Sequence, residues 1–479
     1  MLDYRAFVMR RLASLAPRYL PFADAASEEV PLLRLLRLSL FQVTVGMALV
    51  LLVGTLNRVM IVELAVPATL VAGMLALPLL FAPIRAFIGF KSDTHRSALG
   101  WRRVPYIWKG TLYQFGGFAV MPFALLVLSG YGEAVDAPRW LGLASAALAF
   151  LLVGAGLHIV QTVGLALATD LVPEKDHPKV VGLMYVMLLA GMVSSALLYG
   201  ALLETYSPGR LIQVIQGTAV VTVALNLFAL WKQEARDRTR ATAMENAPQT
   251  TFGEAWQKLV LRPGTYRLFV VIAFGTLGFG MADVLLEPYG GQALGLSVAE
   301  TTRLTALLAG GTLVAFGIAS RLLGSGWDPA RLAVVGGFIG IPGFLAIILS
   351  SVVGGSPLFV AGTFGIGVGA GLFGHATLTA TIRSAPSDQV GLSLGAWGAV
   401  QATSAGVGVA LAGVVRDTFV SLSAFAGLPP HSPYNIVFIA EIACLALAIL
   451  VALPLAARHG RMAAKRIAVT AQPNPVEVP

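Results

Sequence analysis

The chain has 479 residues, 57% of them hydrophobic and only 12% charged, with a mean hydropathy of +0.79. An average soluble domain carries about 25% charged residues, so this composition excludes a soluble multidomain protein and a disordered chain, and the lone Cys444 excludes a disulfide scaffold. The excess of 33 Lys and Arg over 24 Asp and Glu, formally +9, resembles a nucleic-acid footprint, but in a lipid-dissolved chain it reports topology.

In chain order, Tyr4, Phe7, Val8, Leu12 and Leu15 recur at helical spacing around Arg5, Arg10 and Arg11. That is the pattern of an amphipathic helix lying in the membrane interface or of a plain basic tail, and it defines an N-terminal segment, 1–35. Apolar stretches able to cross about 30 Å of hydrocarbon follow at 36–62, 67–90, 107–128, 141–167, 180–203 and 211–231. After the polar stretch 232–267 come 268–286, 302–323, 332–352, 358–382, 392–415 and 435–456. Each is expected to be a helix, because open strands cannot satisfy their backbone in lipid. The expected fold is an all-α polytopic membrane protein of twelve spans, with six-helix halves at 36–231 and 268–457, a central loop and a tail, 458–479, that ends in a disordered 472–479. Of the 33 basic residues, 28 fall in the termini, the central loop and the loops on their side. Only Arg58, Arg139, Arg210, Arg303 and Arg416 fall opposite. The positive-inside rule therefore places both termini in the cytoplasm, and no nucleic-acid partner is needed to explain the charge.

The two halves repeat. Span four contains Gly154-Ala155-Gly156-Leu157-His158 and then Ala168-Thr169-Asp170; span ten contains Gly369-Ala370-Gly371-Leu372, then His375, then Ala380-Thr381-Ile382-Arg383. Each is followed by a turn proline, Pro173 or Pro386, and a glycine opening the next span, Gly182 or Gly391. Matching helices in the same order are the mark of parallel repeats in transporter-type folds.

The loop after span two reads Gly89-Phe90-Lys91-Ser92-Asp93, then Gly100-Trp101-Arg102-Arg103. It resembles the G-x-x-x-D…G-R-R loop of the major facilitator superfamily, with residues inserted before Gly100; the counterpart in the second half has Arg321 where the aspartate belongs. The resemblance implies a major-facilitator-type bundle and a gating or structural role for Asp93, Arg102 and Arg103. Two further segments are more specific: Gly54-Thr55-Leu56-Asn57-Arg58 through Glu63, and Gly280-Met281-Ala282-Asp283 through Glu287-Pro288-Tyr289-Gly290-Gly291. With the loop, these resemble the PucC/LhaA group of light-harvesting assembly proteins, the bacteriochlorophyll-delivery branch of the major facilitators in purple phototrophic bacteria. The likeness spans about residues 34–458. It departs at Ala282, where the group's signature is polar. The long segment before span one points toward the LhaA-like subgroup, which serves the core (LH1-type) antenna.

That resemblance implies an assembly factor, without enzymatic turnover, that binds bacteriochlorophyll, with carotenoid as a second candidate pigment, in the inner, intracytoplasmic photosynthetic membrane. Its partners would be light-harvesting antenna polypeptides, with the reaction centre and pigment-biosynthesis enzymes as further candidates, in contact with membrane lipids. A bacteriochlorophyll magnesium takes an axial ligand, which a neutral imidazole supplies when its other nitrogen has a partner. Of six histidines, His158 and His375 alone fall inside apolar spans and are the candidate magnesium ligands, with Gln161, Gly371 and Gly374 lining the same positions. Helix packing is the plain alternative for the histidines and for the glycines of span ten, since small and polar residues commonly join membrane helices. His95, His177, His431 and His459 are expected in loops.

Ionisable groups in a span default to functional candidates. Asp283 and Glu287 lie four apart, and Glu63 occupies a comparable end of span one. Asn57 and Arg58 are positioned to pair with them across the repeat, while a boundary location would make charge cheap through snorkelling; Glu441 in span twelve is equally ambiguous. Two other readings therefore stand beside the first: a proton-coupled secondary transporter of a small solute, and an antenna partner with no pigment of its own. No P-loop, H-E-x-x-H or G-x-S-x-G motif appears.

Overall fold

A computed structural model describes residues 29–80, 103–130, 136–173, 176–234, 264–353, 356–384 and 390–470, together with Ser27, Ile88, Ser92, Trp101, Gln257, Leu261 and Arg262. The first half comprises α1 (Leu32–Glu63), α2 (Ala68–Leu80), α3 (Val104–Ser129), α4 (Arg139–Asp170), α5 (His177–Leu202) and α6 (Pro208–Leu230). The second comprises α7 (Thr265–Leu294), α8 (Val298–Gly324), α9 (Pro329–Val353), α10 (Ser356–Ser384), α11 (Val390–Phe425) and α12 (Ser432–Thr470). Eleven helices are long and apolar enough to cross a membrane, and α2 is the shorter one among the described residues. The chain is thus a multi-pass membrane protein.

Local chemistry sets the helix ends. Ser207 caps α6 by accepting from the Arg210 N–H at 3.1 Å, with Pro208 at the first helical position. Ser297 and Glu300 form a reciprocal capping box that starts α8. Gly295, at φ +67°, takes the left-handed conformation that ends α7 and turns the chain into it.

Glycines carry the helix packing. Gly156 of α4 faces the Gly110 carbonyl of α3, and Gly117 faces Val153. In the second half, Gly336 of α9 faces the Gly369 carbonyl of α10, and Gly343 faces Gly362. The repeat therefore extends to structure: α3 packs on α4 as α9 packs on α10. A buried polar chain adds specificity to the first half, with Asn226 Nδ2 donating to Thr111 (2.9 Å) and Thr44 donating to Asn226 Oδ1 (2.9 Å), which ties α3, α6 and α1. The halves meet along α2 with α11 and α5 with α8. Apolar side chains such as Leu112, Phe115, Phe228, Phe338 and Leu450 remain exposed on the rim, the surface that lipid covers.

The first helix of each half is irregular. α1 has π-helical turns at Val50–Leu56 and Val59–Glu63, and α7 breaks at Met281 into Thr265–Gly280 and Ala282–Leu294. Such departures mark hinges and functional positions more often than plain packing. Two expectations change. α12 runs to Thr470, well into the tail predicted from 458, because its polar end still has strong helix formers. His177 opens α5 and His459 lies within α12, so neither is in a loop. The periodic segment from Tyr4 to Leu15, His95 and residues 472–479 lie outside the described residues.

Candidate functional site

The two histidines singled out by the repeat lie on the matching helix of each half about one turn apart in register: His158 stands two residues after Gly156, which faces the Gly110 carbonyl, and His375 six after Gly369, which faces the Gly336 carbonyl. Gly154, one turn before His158, packs α4 against Pro78 of α2; Gly371, one turn before His375, packs α10 against Ala315 and Thr312 of α8. α4 and α10 are repeat partners, as are α2 and α8, so each histidine sits beside the second helix of its own half. Both are half-buried, as is Gln161 one turn further along α4.

Their surroundings then diverge. The His375 ring meets Phe316 of α8 edge-on, with centroids 4.9 Å apart. Gly374 beside it borders open space, with nothing within 4 Å of where a Cβ would stand. Before His158 stands buried Leu157 instead. Gly371 is corrected from pocket wall to packing: its Cβ direction is filled by Ala315 (2.7 Å) and the Thr312 carbonyl (2.8 Å). Gly367 and Gly369 are likewise spent on α8 and α9. An imidazole next to an aromatic edge and an open glycine step leaves room beside α10 for a flat ring.

The second set of predicted residues meets at the end of the bundle opposite the chain termini. Arg58 and Glu287 are only 3% and 4% exposed, which replaces the snorkelling expectation with burial against protein. Arg58 pairs with Glu63 of its own helix and donates to the Leu296 carbonyl at 3.0 Å. Asn57 donates to the Val284 carbonyl at 2.7 Å, so both residues do reach across the repeat, but to backbone rather than to Asp283 or Glu287. Glu287 accepts from the Thr305 hydroxyl and presses against Gly54 of α1. Asp283 is exposed although Ala282 and Val284 on either side are buried. Glu441, fully buried on α12, accepts the Ala282 N–H freed by the break in α7. Tyr206, in the turn after α5, has its phenol pushed up to about 12, chiefly by burial and further by the nearby Glu63 carboxylate.

Toward the terminus-bearing end, Arg103 is buried and donates to Asp170 at 3.0 Å and to Ser92 at 2.7 Å, while Glu234 caps α3 by accepting from the Arg103 and Val104 N–H groups. Asp93 and Arg102 lie outside the described residues. Sequence reading missed Glu234 and Asp417. The latter accepts the Thr69 N–H (2.6 Å) and the Ala68 N–H (3.3 Å) at the start of α2, from the opposite half.

Among the described residues, twelve helices in two repeated halves, meeting along α2–α11 and α5–α8, define a major-facilitator-type membrane protein. A bacterial homologue of the iron transporter ferroportin, solved in an inward-facing state, has the same fold: TM-score 0.63 at 17% identity, covering 88% of this chain and 98% of that one. Within that class the chain belongs to the PUCC protein family, whose sequence pattern matches residues 55–460. It is 68% identical to Protein PucC of Rhodobacter capsulatus over 462 residues, 96% of this chain and 100% of that protein. It is 57% identical to Protein PucC of Cereibacter sphaeroides over 460 residues, 96% and 99% of the two. A more distant relative, named as the bacteriochlorophyll synthase 44.5 kDa chain of Rhodobacter capsulatus, is 28% identical over 441 residues, 89% of this chain and 96% of that one.

Proposed function

We propose that this protein is a light-harvesting assembly factor that holds bacteriochlorophyll in its membrane helices and passes it to antenna polypeptides, acting as a binding scaffold without chemical turnover. The observation that carries the reading is the conjunction at α10: His375, the Phe316 edge and the open step at Gly374. Membership in the PUCC family and the pigment named in a distant relative support it. His375 would hold the pigment, with His158 and Gln161 as its counterpart in the first half. The His375 imidazole would supply the nitrogen that holds the pigment's magnesium. Phe316 fixes the ring plane of His375 from the side, and the exposed apolar rim accommodates an isoprenoid tail or a carotenoid. The charge distribution supports an inner-membrane location with both termini in the cytoplasm.

The test is a deletion strain complemented with wild type or His375→Ala. Wild type is expected to restore antenna absorption and to co-purify with antenna polypeptides, and His375→Ala to restore neither fully. Because the segment before α1 points to the core antenna while three relatives above 50% identity carry the name PucC, core and peripheral antenna are both to be quantified. Unchanged levels of both on deletion would overturn the reading.

A second reading has its own support. Asp283 is exposed at a helix break within an apolar span, the kind of position at which discontinuous helices bind ions. Proton-driven solute uptake in vesicles that Asp283→Asn abolishes would favour a transporter.

A further inference from the structure

Pro288 stands inside α7 and has no N–H, so the Val284 carbonyl one turn before it loses its helical donor. Asn57 of α1 takes that carbonyl, donating from Nδ2 at 2.7 Å. One turn along α7, the Glu287 carboxyl lies against Gly54 of α1, where a Cβ would stand 3.3 Å from Glu287 Cδ and 3.0 Å from Thr305 Oγ1. A turn further, Arg58 crosses Gly291, where a Cβ would stand 2.9 Å from Nη2 and 3.2 Å from Nε. Three polar side chains from the two halves are thus drawn together between backbones. Asn57 and Arg58 are also the two residues that separate the π-helical runs of α1, and π-helical turns gather at functional sites.

Each of the three has one polar atom left over. Asn57 spends Nδ2 on Val284, and its Oδ1 has no partner. Glu287 Oε1 accepts from the Thr305 hydroxyl, and Oε2 has none. Arg58 sends Nη1 to Glu63 and Nη2 to the Leu296 carbonyl, and its Nε–H has none. The guanidinium acts on Glu287 electrostatically, but with both Nη atoms committed elsewhere the pair is not closed by direct contact. All three residues are buried, where an unmet donor or acceptor keeps its full desolvation penalty.

The leftover set is one N–H donor and two acceptor oxygens. A metal cation would serve the two oxygens and leave the Nε–H facing a like charge. A proton on Oε2, donated to Asn57 Oδ1, would leave the Nε–H unmet. Water accepts one hydrogen bond and donates two, and internal waters typically hold about three bonds to buried groups of this kind. We infer that Asn57, Arg58 and Glu287 enclose a binding site for an internal water molecule. It accepts from Arg58 Nε–H, donates to Glu287 Oε2 and Asn57 Oδ1, and completes the Arg58–Glu287 pair between the halves through solvent.

The inference does not rest on the pigment reading, and it is tested on pigment-free, full-length protein. A crystal structure at a resolution that shows ordered waters should place one density peak within hydrogen-bond distance of all three atoms. Crystals soaked in thallium(I) should give no anomalous signal there. In thermal unfolding, Glu287→Gln should melt close to the parent, because its amide can accept from the water or donate to it. Glu287→Leu strands the Arg58 Nε–H and Asn57 Oδ1 and should lose several degrees of melting temperature. A direct ionic contact predicts instead that Gln costs as much as Leu. The inference is overturned by a structure that shows waters elsewhere in the bundle but none here, by a thallium signal at the site, or by Glu287→Gln melting as low as Glu287→Leu. The first two readings come from the parent protein and stand even if a variant fails to fold.

Discussion

His158 and His375 stand on the matching helix of each repeat, about one turn apart in register and equally half-buried, yet the residues beside them differ. Around His158 the glycines at 154 and 156 are taken by Pro78, Gly110 and Gln114, and the residue before the histidine is a buried leucine. Around His375 the packing duty falls on Gly367, Gly369 and Gly371, while Gly374 borders open space and Phe316 supports the ring. The same helix-to-helix frame occurs twice, and the residue before the histidine is a buried leucine in one copy and an open glycine in the other. Glycine in a membrane helix therefore has two distinct uses here, close packing and open space.

The largest expected effect falls on packing. Gly369→Val would put a side chain 2.7 Å from the Gly336 carbonyl and 2.9 Å from the Gly340 nitrogen, both backbone. Overpacking of this kind costs about 1–3 kcal/mol or more, so most folded protein should be lost in size-exclusion profiles. Next, His375→Ala should cut co-purified pigment about tenfold with the fold intact, the scale on which metal-site ligands and their supports act. His158→Ala should cost less; equal losses would break the comparison.

Gly374→Leu sharpens it further. Nothing within 4 Å opposes the new side chain, so the melting temperature should hold while pigment falls several-fold, as a filled step excludes the ring. A drop in stability without loss of pigment would assign Gly374 to packing. The smallest effect concerns pH and should spare both histidines alike. Tyr206 keeps its proton up to about 12 when folded, whereas the unfolded phenol loses it near pH 10. Stability from this group is thus complete below about pH 10 and declines as pH rises toward 12. Tyr206→Phe should remove that component from stability-against-pH curves.

How much of this was legible in the sequence follows from the range of the interactions. The spans and the repeat are written locally, in hydropathy and in glycine spacing, and they reappear as twelve helices among the described residues with α4 and α10 in matching places. The signature segments around Gly54 and Gly280 mark the irregular turns of α1 and the break in α7. What stayed hidden depends on neighbours remote in sequence. Gly371 and Gly374 look alike in a glycine-rich run, and only the position of α8 shows that one is filled and the other open. Asp417 caps a helix 349 residues away. Arg103 finds Asp170 at the end of α4, a partner that the loop motif, with its own Asp93, does not suggest. Arg58 and Glu287 read as boundary charges because hydropathy does not register the opposite half closing over them.

The central claim, a pigment held at α10, is tested most directly by the near-infrared absorption spectrum of the gently purified protein. The account predicts a bacteriochlorophyll band that His375→Ala nearly abolishes and His158→Ala only weakens. A band unchanged in His375→Ala, or no band in wild type purified from pigmented cells, would contradict it.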